Sequence, residues 1–303
     1  MPIRFDDRVA IVTGAGTGLG RCHALLLGER GARVVVNDPG GAVDGRGSEQ
    51  AVADKVVAEI KAKGGEAVAS YDSISTEAGA QNAVNTALNA WGRLDILVNN
   101  AGILRDKAFN NMPMEDFEAV VQVHLMGTVY CTKAAWPVMR GQKFGRIIVT
   151  TSGSGTVGNF GQSNYGAAKT GVVGLINCLR FEGAKYNILV NAISPSAHTR
   201  MTEGLLPPDM IPYMKPELVS PAVAWLCSDD CDVSGQIIAA TAGGFARVQY
   251  FVTEGVQFDP EQPVTIEMFA EAFPRLSDLG TAKPYTGLMG NVERKLREIG
   301  RIR

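Results

Sequence analysis

The stretch Thr13-Gly14-Ala15-Gly16-Thr17-Gly18-Leu19-Gly20 decides the fold. It follows the apolar run Arg8–Thr13 and leads into the helical pattern Leu19–Arg30, so its glycines sit where a strand turns into a helix. Glycine there lets the backbone turn tightly. It also lets a pyrophosphate approach a helix N-terminus, whose free N–H groups and dipole favour an anion. A tight turn without a ligand would use the same residues. Placement after the first strand of an alternating chain favours the dinucleotide reading.

Outward from that loop, short β-branched runs alternate with helix-length segments. Strands are expected at Arg8–Thr13, Ala32–Asn37, Glu66–Ser70, Ile96–Asn99, Gly145–Thr151, Ile188–Ser194 and Gln236–Ala240. Val34-Val35-Val36, Ile96-Leu97-Val98 and Ile147-Ile148-Val149 are apolar on consecutive positions, as suits strands covered on both faces. Helices are expected over Leu19–Arg30, Ser48–Lys63, Glu77–Trp91, Pro113–Met139, Ser163–Lys185 and Pro216–Ser228. The pattern is that of an α/β, Rossmann-like, doubly wound parallel sheet of seven strands. After Ala242-Gly243-Gly244 the pattern stops. Residues 1–245 read as one dinucleotide-binding and catalytic domain, and 246–303 as a helical C-terminal extension packed on it. Two helices are expected there, one near Val264 with Thr265 as N-cap, the other over Asn291–Ile299.

Bulk composition excludes several classes. Of 303 residues, 46% are hydrophobic and 20% charged, the balance of a protein with a full core. Lys+Arg 29 against Asp+Glu 31 leaves no basic field for nucleic acid. No apolar run approaches the ~20 residues that span a bilayer, and the amino terminus leaves no room for a signal peptide. Cys22, Cys131, Cys178, Cys227 and Cys231 form no metal-ligand spacing. No metal is expected, and the thiols suit a reducing compartment such as the cytoplasm.

Asp38 ends the second strand, about twenty residues past the glycines. A carboxylate there accepts hydrogen bonds from both ribose hydroxyls and repels a 2′-phosphate, which points to NAD. A solvated strand-end residue is the alternative. Asp72-Ser73 and Asn99-Asn100-Ala101-Gly102 follow the third and fourth strands, where ligands bind in such sheets, although Asn there can equally satisfy a turn.

Tyr165 and Lys169 are four apart and so share one helix face, with Ser152 just past the fifth strand. Tyr with a pKa of ~10 is a poor base at neutral pH. Moving it to ~7 takes roughly 4 kcal/mol, which the Lys169 ammonium together with a cationic nicotinamide could supply. Ser152 would hold the substrate oxygen. Alone, Tyr and Lys at this spacing are an ordinary surface pair.

Together the glycine pattern, Asn99-Asn100-Ala101-Gly102, Ser152, Tyr165-x-x-x-Lys169 and Asn191-Ala192-Ile193-Ser194-Pro195 resemble the short-chain dehydrogenase/reductase family over roughly residues 5–245. The resemblance implies an NAD-dependent oxidoreductase with Tyr165 as acid/base, Lys169 also on the nicotinamide ribose, and Ser152 steadying the substrate. It further implies Gly14, Gly18, Leu19 and Gly20 at the pyrophosphate and Asp38 at the adenosine ribose. Ser73, Ile74 and Asn100 would line the adenine side, with Ala197, His198 and Thr199 near the carboxamide and pyrophosphate. Two positions depart from the family. His124 stands where it has a proton-relay asparagine, and Pro195-Ser196 replaces Pro-Gly. The stretches VVVNDPGG, NNAGILRDK, VHLMG, KFGRIIVTTSGSGTVGNFGQSNYGAAK and AHTRMT resemble a narrower group, the (3R)-hydroxyacyl-CoA dehydrogenase portions of type 2 peroxisomal multifunctional enzymes. That group also carries the histidine, which is either a relay or a structural residue. The implied substrate is a CoA thioester or a steroid-like secondary alcohol, in lipid breakdown by β-oxidation, in a cytoplasmic bacterial version without a C-terminal peroxisomal tripeptide. A 3-oxoacyl reductase and a non-catalytic NAD-binding sensor are the alternatives. Met112, Met114, Phe160, Met201 and Leu205 are candidates for an acyl tunnel or for ordinary lid packing. A homodimer or homotetramer is expected, built on the apolar Val120, Val121, Val172, Val173, Leu175 and Ile176 of the two long helices.

Overall fold

The β-branched runs all become strands of one sheet. In the computed structural model, which describes residues 2–285, 295–297 and 300, the strands are β1 (Val9–Thr13), β2 (Arg33–Asn37), β3 (Glu66–Ser70), β4 (Ile96–Asn99), β5 (Gly145–Thr150), β6 (Ile188–Ser196) and β7 (Ile237–Thr241). Each of these pairs in parallel with its neighbours, in the order β3-β2-β1-β4-β5-β6-β7. An eighth strand, β8 (Gly244–Val248), lies beyond β7, so seven strands is corrected to eight. The sequence at Ala242-Gly243 explains it. Both residues take positive φ, 50° and 80°, the geometry of a two-residue hairpin that turns the chain back antiparallel.

Alternate side chains of the central strands point to opposite faces, and both faces are covered. Ala10, Val12, Val34, Val36, Ile96, Val98, Ile148 and Ile193 pack with α1 (Gly18–Glu29), α2 (Ala51–Ala62) and Val223, Leu226 and Cys227 further along. On the other face lie α3 (Glu77–Trp91), α4 (Met114–Val121) and α5 (Gly127–Gln142), followed in the chain by the short α6 (Gly153–Thr156) and the long α7 (Ser163–Gly183). The last helix against the sheet is α8 (Ser220–Cys227). α3 has the ends its sequence specifies. Thr76 accepts from Gly79 N at 3.1 Å, and Gly92 closes the helix at φ 71°.

Three expected helices differ. Pro216–Ser228 opens as a 3-10 turn over Pro216–Leu218 before α8. Pro113–Met139 is interrupted by a π-helical turn over Gln122–Met126, where one extra residue is accommodated. His124 lies on that turn. Ser163–Lys185 holds as α7 to Gly183 and then tightens to 3-10 over Ala184–Tyr186. Val120, Val172, Val173 and Ile176 are fully buried within the chain, so their apolar character is already accounted for without a partner subunit.

The strand order reverses between β1 and β4, which sit side by side although two strands separate them in the chain. Loops leaving the carboxyl ends at such a point diverge to opposite faces and open a crevice. The glycine loop leaves β1 there, and Asn99-Asn100-Ala101-Gly102 leaves β4.

The chain divides into two compact units, Met1–Arg247 and Val248–Arg303. Within the second, β9 (Phe251–Val252) pairs antiparallel with β10 (Lys283–Pro284). Its helix α9 (Ile266–Leu276) begins at the expected cap, with Thr265 accepting from Met268 N at 3.2 Å. Apart from residues 295–297, which are helical, the second tail helix expected over Asn291–Ile299 falls outside the described residues. No helix among the described residues is long and apolar enough to cross a membrane.

Candidate active site

The glycine loop is built by the atoms its glycines lack. Gly14 takes φ 62°, and a Cβ on it would lie 2.7 Å from the Ala101 Cα. A Cβ on Gly20 would overlap the Gly14 carbonyl. One on Gly16 would lie 2.8 Å from Asp38 Oδ2, the oxygen that accepts from the Gly16 N–H at the same distance. The loop therefore presses against both the β4 turn and the end of β2. Thr17, the N-cap of α1, makes no side-chain cap, and the first turn carries no acid. The N–H groups that open α1, from Gly18 through Leu19 to Gly20, thus have no side-chain cap at the positive end of the helix dipole.

Asp38 is buried, and its carboxylate accepts from two loop amides, Gly16 N at 2.8 Å and Gly40 N at 2.7 Å. A carboxylate has about four acceptor sites, so half remain for a ligand. Asn100, where β4 turns, supports the loop with its side chain. Its Nδ2 donates to the carbonyls of Thr13 (3.0 Å) and Gly14 (3.2 Å), bracing the glycine loop. Ile74 is buried against the start of α5, where it occupies the space a Cβ on Gly127 would need. Ser73 is exposed and shares a hydrogen bond with Ser75 at 2.9 Å. After β6, Ala197 is buried, and the His198 N–H donates to the Met214 carbonyl at 2.6 Å. Thr199 accepts from Met201 N at 3.3 Å, and its methyl lies 3.5 Å from where a Gly18 Cβ would be. The next residue, Arg200, donates to Thr17 Oγ1 at 2.8 Å, so the two loops touch.

The second cluster follows β5. Ser152 caps α6, its Oγ accepting from Ser154 N at 3.2 Å. Tyr165 and Lys169 occupy the first turns of α7. Lys169 is fully buried, donates from Nζ to the Thr150 carbonyl at 2.5 Å and lies 5.4 Å from the Tyr165 ring centroid. His124 reaches in from the π-helical turn, its ring edge-on to Tyr165 with centroids 5.0 Å apart. Its Nε2 meets both the amide (3.0 Å) and the carbonyl (2.8 Å) of Ile103, and its Nδ1 has no hydrogen-bond partner in the protein. Gly102 is glycine because the imidazole packs where its Cβ would stand.

Burial governs the electrostatics. Desolvation pulls Lys169 from 10.5 down to about 7. Desolvation pushes the Tyr165 phenol above its usual 10, against a hydrogen bond from Ser152 that lowers it, while the Asp106 charge raises it further. His124 is held well below 6.5, first by burial and then by the Lys169 charge, so it is neutral. The sequence reading lowers the phenol through Lys169 and a cationic nicotinamide acting together; in the protein alone burial leads and the phenol is raised.

Sequence reasoning missed several supporting residues. Thr13 Oγ1 accepts from both Asn100 N (3.0 Å) and Ala101 N (3.1 Å), tying β1 to the β4 turn. Asn164 is fully buried, donates to the Arg105 carbonyl at 3.1 Å and accepts from Tyr165 N at 2.7 Å, which fixes the entry of α7. Only its place beside Tyr165 marked it. Ala101 packs on Gly14 and Gly102 on His124, so a two-residue step joins the cradle to the Tyr165 cluster.

The short chain dehydrogenase family model matches residues 8–207. A Mycobacterium tuberculosis protein named as a short-chain type dehydrogenase/reductase is 51% identical over 92% of this chain and 96% of its own. Peroxisomal multifunctional enzyme type 2 of Mus musculus is 49% identical over 94% of this chain but only 39% of its own length. The full-length structure of the Drosophila melanogaster enzyme of that name superposes with a TM-score of 0.81 at 41% identity, covering 98% of this chain and 50% of that one. The chain thus spans about half or less of the length of these two multifunctional relatives. With its parallel sheet, glycine loop and Ser152–Tyr165–Lys169 cluster, the chain belongs to the short-chain dehydrogenase family of oxidoreductases.

Proposed function

We propose that the chain oxidises a (3R)-3-hydroxyacyl-CoA, of fatty-acyl or sterol-side-chain type, to the 3-oxoacyl-CoA, with NAD as acceptor and Tyr165 as general base. The observation that carries this reading is the two-residue step Ala101-Gly102, which brings the glycine cradle against the cluster of Ser152, Tyr165, Lys169 and His124. Redox chemistry at a carbon needs such a juxtaposition of cofactor site and proton acceptor.

The residues fit a dinucleotide. Gly14, Gly18, Leu19 and Gly20 would hold the pyrophosphate at the opening of α1, with Thr199 across from them. Asp38, already anchored by two amides, would take the adenosine ribose hydroxyls and disfavour a 2′-phosphate. Ser73, Ile74 and Asn100 would border the adenine side, and Ala197 and His198 the carboxamide side. When bound, the oxidised nicotinamide supplies the hydride acceptor and a formal positive charge beside the phenol. Ser152 holds the substrate hydroxyl oxygen, and Tyr165 takes its proton. Lys169, pinned to Thr150, binds the nicotinamide ribose and stabilises the phenolate.

Support for a long apolar substrate comes from the loops around this cluster. Phe160 follows Ser152, Leu205 follows β6 and Met114 opens α4, and they are 89%, 67% and 63% exposed, apolar surface open to an acyl chain. The likeness to the multifunctional enzymes supports the acyl-CoA class. The test is initial rates on (3R)- and (3S)-3-hydroxyacyl-CoA thioesters of rising chain length, with NAD or NADP, beside a 17β-hydroxysteroid. We expect NAD-dependent oxidation of the (3R) series. Turnover of the steroid alone would replace the proposed substrate.

A further inference from the structure

Ser152 opens a segment with glycine at 153, 155, 158 and 161, of which Gly158 and Gly161 take φ of 86° and 78°. Val157 and Phe160 within it are exposed, so little apolar packing holds its shape. Glycine-rich chain is entropically costly to fix in one conformation. The turn of α6 and a bond from Thr170 Oγ1 to the Gly155 carbonyl hold the middle of the segment, and a run of hydrogen bonds that ends on one carboxylate ties its two ends together. Ser154 N donates to Ser152 Oγ at 3.2 Å, and Ser154 Oγ donates to Gln162 Oε1 at 2.6 Å. Asn159 Nδ2 donates to that same oxygen at 3.1 Å. Gln162 Nε2 then donates to Asp106 Oδ2 at 2.6 Å. A second tie runs alongside, from Lys107 N to the Gly161 carbonyl at 2.9 Å.

The polarity of this chain is set at its far end. A carboxylate only accepts, so Gln162 must turn its NH2 to Asp106 and its oxygen to Ser154 and Asn159. The bond to Asp106 is charge-assisted, the strongest in the run. We propose that Asp106 is a positioning residue for Ser152: its carboxylate fixes the polarity of Gln162, and Gln162 holds the glycine-rich segment so that the Ser152 hydroxyl faces Tyr165. Asp106 touches neither substrate nor cofactor in this role. The inference rests on the proposed function only in assigning chemistry to Ser152 and Tyr165.

The test reverses the polarity. Gln162→Glu sets a carboxylate against a carboxylate, while adding Asp106→Asn restores one donor and one acceptor with their places exchanged. We expect the amides of residues 153–161 to exchange with deuterium at least tenfold faster in Gln162→Glu, and to return within threefold of wild type in the double variant. In the proposed reaction kcat should fall tenfold or more and recover at least fivefold, with the Kd for NAD within twofold throughout. Wild-type exchange in Gln162→Glu, or a double variant no better than the single, would overturn the proposal. Should Gln162→Glu fail to fold, Asp106→Leu removes the acceptor without adding charge, and the same rapid exchange is required of it. Exchange needs no substrate, so inactivity of the wild type on hydroxyacyl-CoA would sink the proposed function and leave this inference standing on its own measurement.

Discussion

The cofactor cradle and the Tyr165 cluster lie at the carboxyl ends of neighbouring strands, yet they are made of different material. The cradle is backbone. Gly14, Gly16 and Gly20 matter through a missing Cβ, and among the residues assigned to it Asp38 is the acid. The cluster is ionisable side chain in a dry place: Lys169 is drawn to about 7, the Tyr165 phenol is raised, and His124 is neutral. The cradle works by fit, which hardly changes with pH. The cluster works by proton affinity, which follows from what surrounds each group.

The largest expected effect separates the two regions outright. Tyr165→Phe should cut kcat by about 10²–10⁴, the range of general base catalysis, and leave the Kd for NAD within about threefold. Single-turnover rates and calorimetric NAD titration measure the two numbers. A variant keeping more than about a tenth of wild-type kcat would remove Tyr165 as the base. A variant that loses NAD as well would show cradle and cluster to be one unit.

This difference also explains what the sequence disclosed. Glycines at 14, 18 and 20 after an apolar run are a steric statement, readable letter by letter, as are the strand bounds at Glu66–Ser70 and Ile96–Asn99. The π-helical turn at Gln122–Met126 was not readable, because periodicity hides one inserted residue when both flanks stay helical. Nor was the work of Asn100, whose amide braces Thr13 and Gly14 through backbone atoms that no motif records. The cost of burying the Tyr165 phenol was hidden for the same reason: a lysine four residues away shows in the sequence, and the His124 ring packed edge-on against Tyr165 does not.

Burial of Lys169 should be measurable as a pH dependence of stability. Its folded pKa of about 7 lies below the 10.5 of the unfolded chain, so between these values the unfolded state binds more protons. Stability from this group therefore rises with pH from about 7 upward, at most about 1.4 kcal/mol per unit. The buried thiols act oppositely. Cys131 is pushed from 9.0 up to about 12, and this part of the stability is lost as the unfolded thiol ionises above 9. The difference between wild type and Lys169→Met cancels such shared contributions. Over pH 7–9 the wild type should gain about 1–2 kcal/mol on the variant in urea unfolding. Parallel curves would mean that Lys169 stays charged in the fold.

In the cradle the corresponding change is Asp38→Ala. It deletes the repulsion of a 2′-phosphate and frees the amides of Gly16 and Gly40. The ratio of kcat/KM for NAD over NADP should fall by about tenfold, roughly 1.4 kcal/mol of discrimination. Part of the fall should come from weaker NAD, because the glycine loop loses an anchor. A wild type that uses both cofactors equally would refute the ribose assignment of Asp38.

His124 tests where the boundary between the regions runs, since its ring touches Gly102 of the step and Tyr165 of the cluster. Its Nε2 is taken by Ile103, so a relay has only Nδ1 to use. That nitrogen can hold a hydrogen bond for about 1 kcal/mol, or fivefold in rate, but burial beside Lys169 opposes an imidazolium. As a relay member His124 would position a bond while the proton leaves. His124→Ala should then lower kcat about fivefold with KM and NAD affinity little changed, and His124→Asn should recover most of it. As a structural residue it would act through packing: the alanine variant would melt several degrees lower, turn over normally per folded molecule, and gain nothing from asparagine. Measuring kcat on NAD-titrated sites beside Tm separates these outcomes. A stable, slow alanine variant with an active asparagine variant places His124 with the chemistry, whereas an unstable, fully active one moves it to the scaffold and leaves Ser152, Tyr165 and Lys169 to act without it.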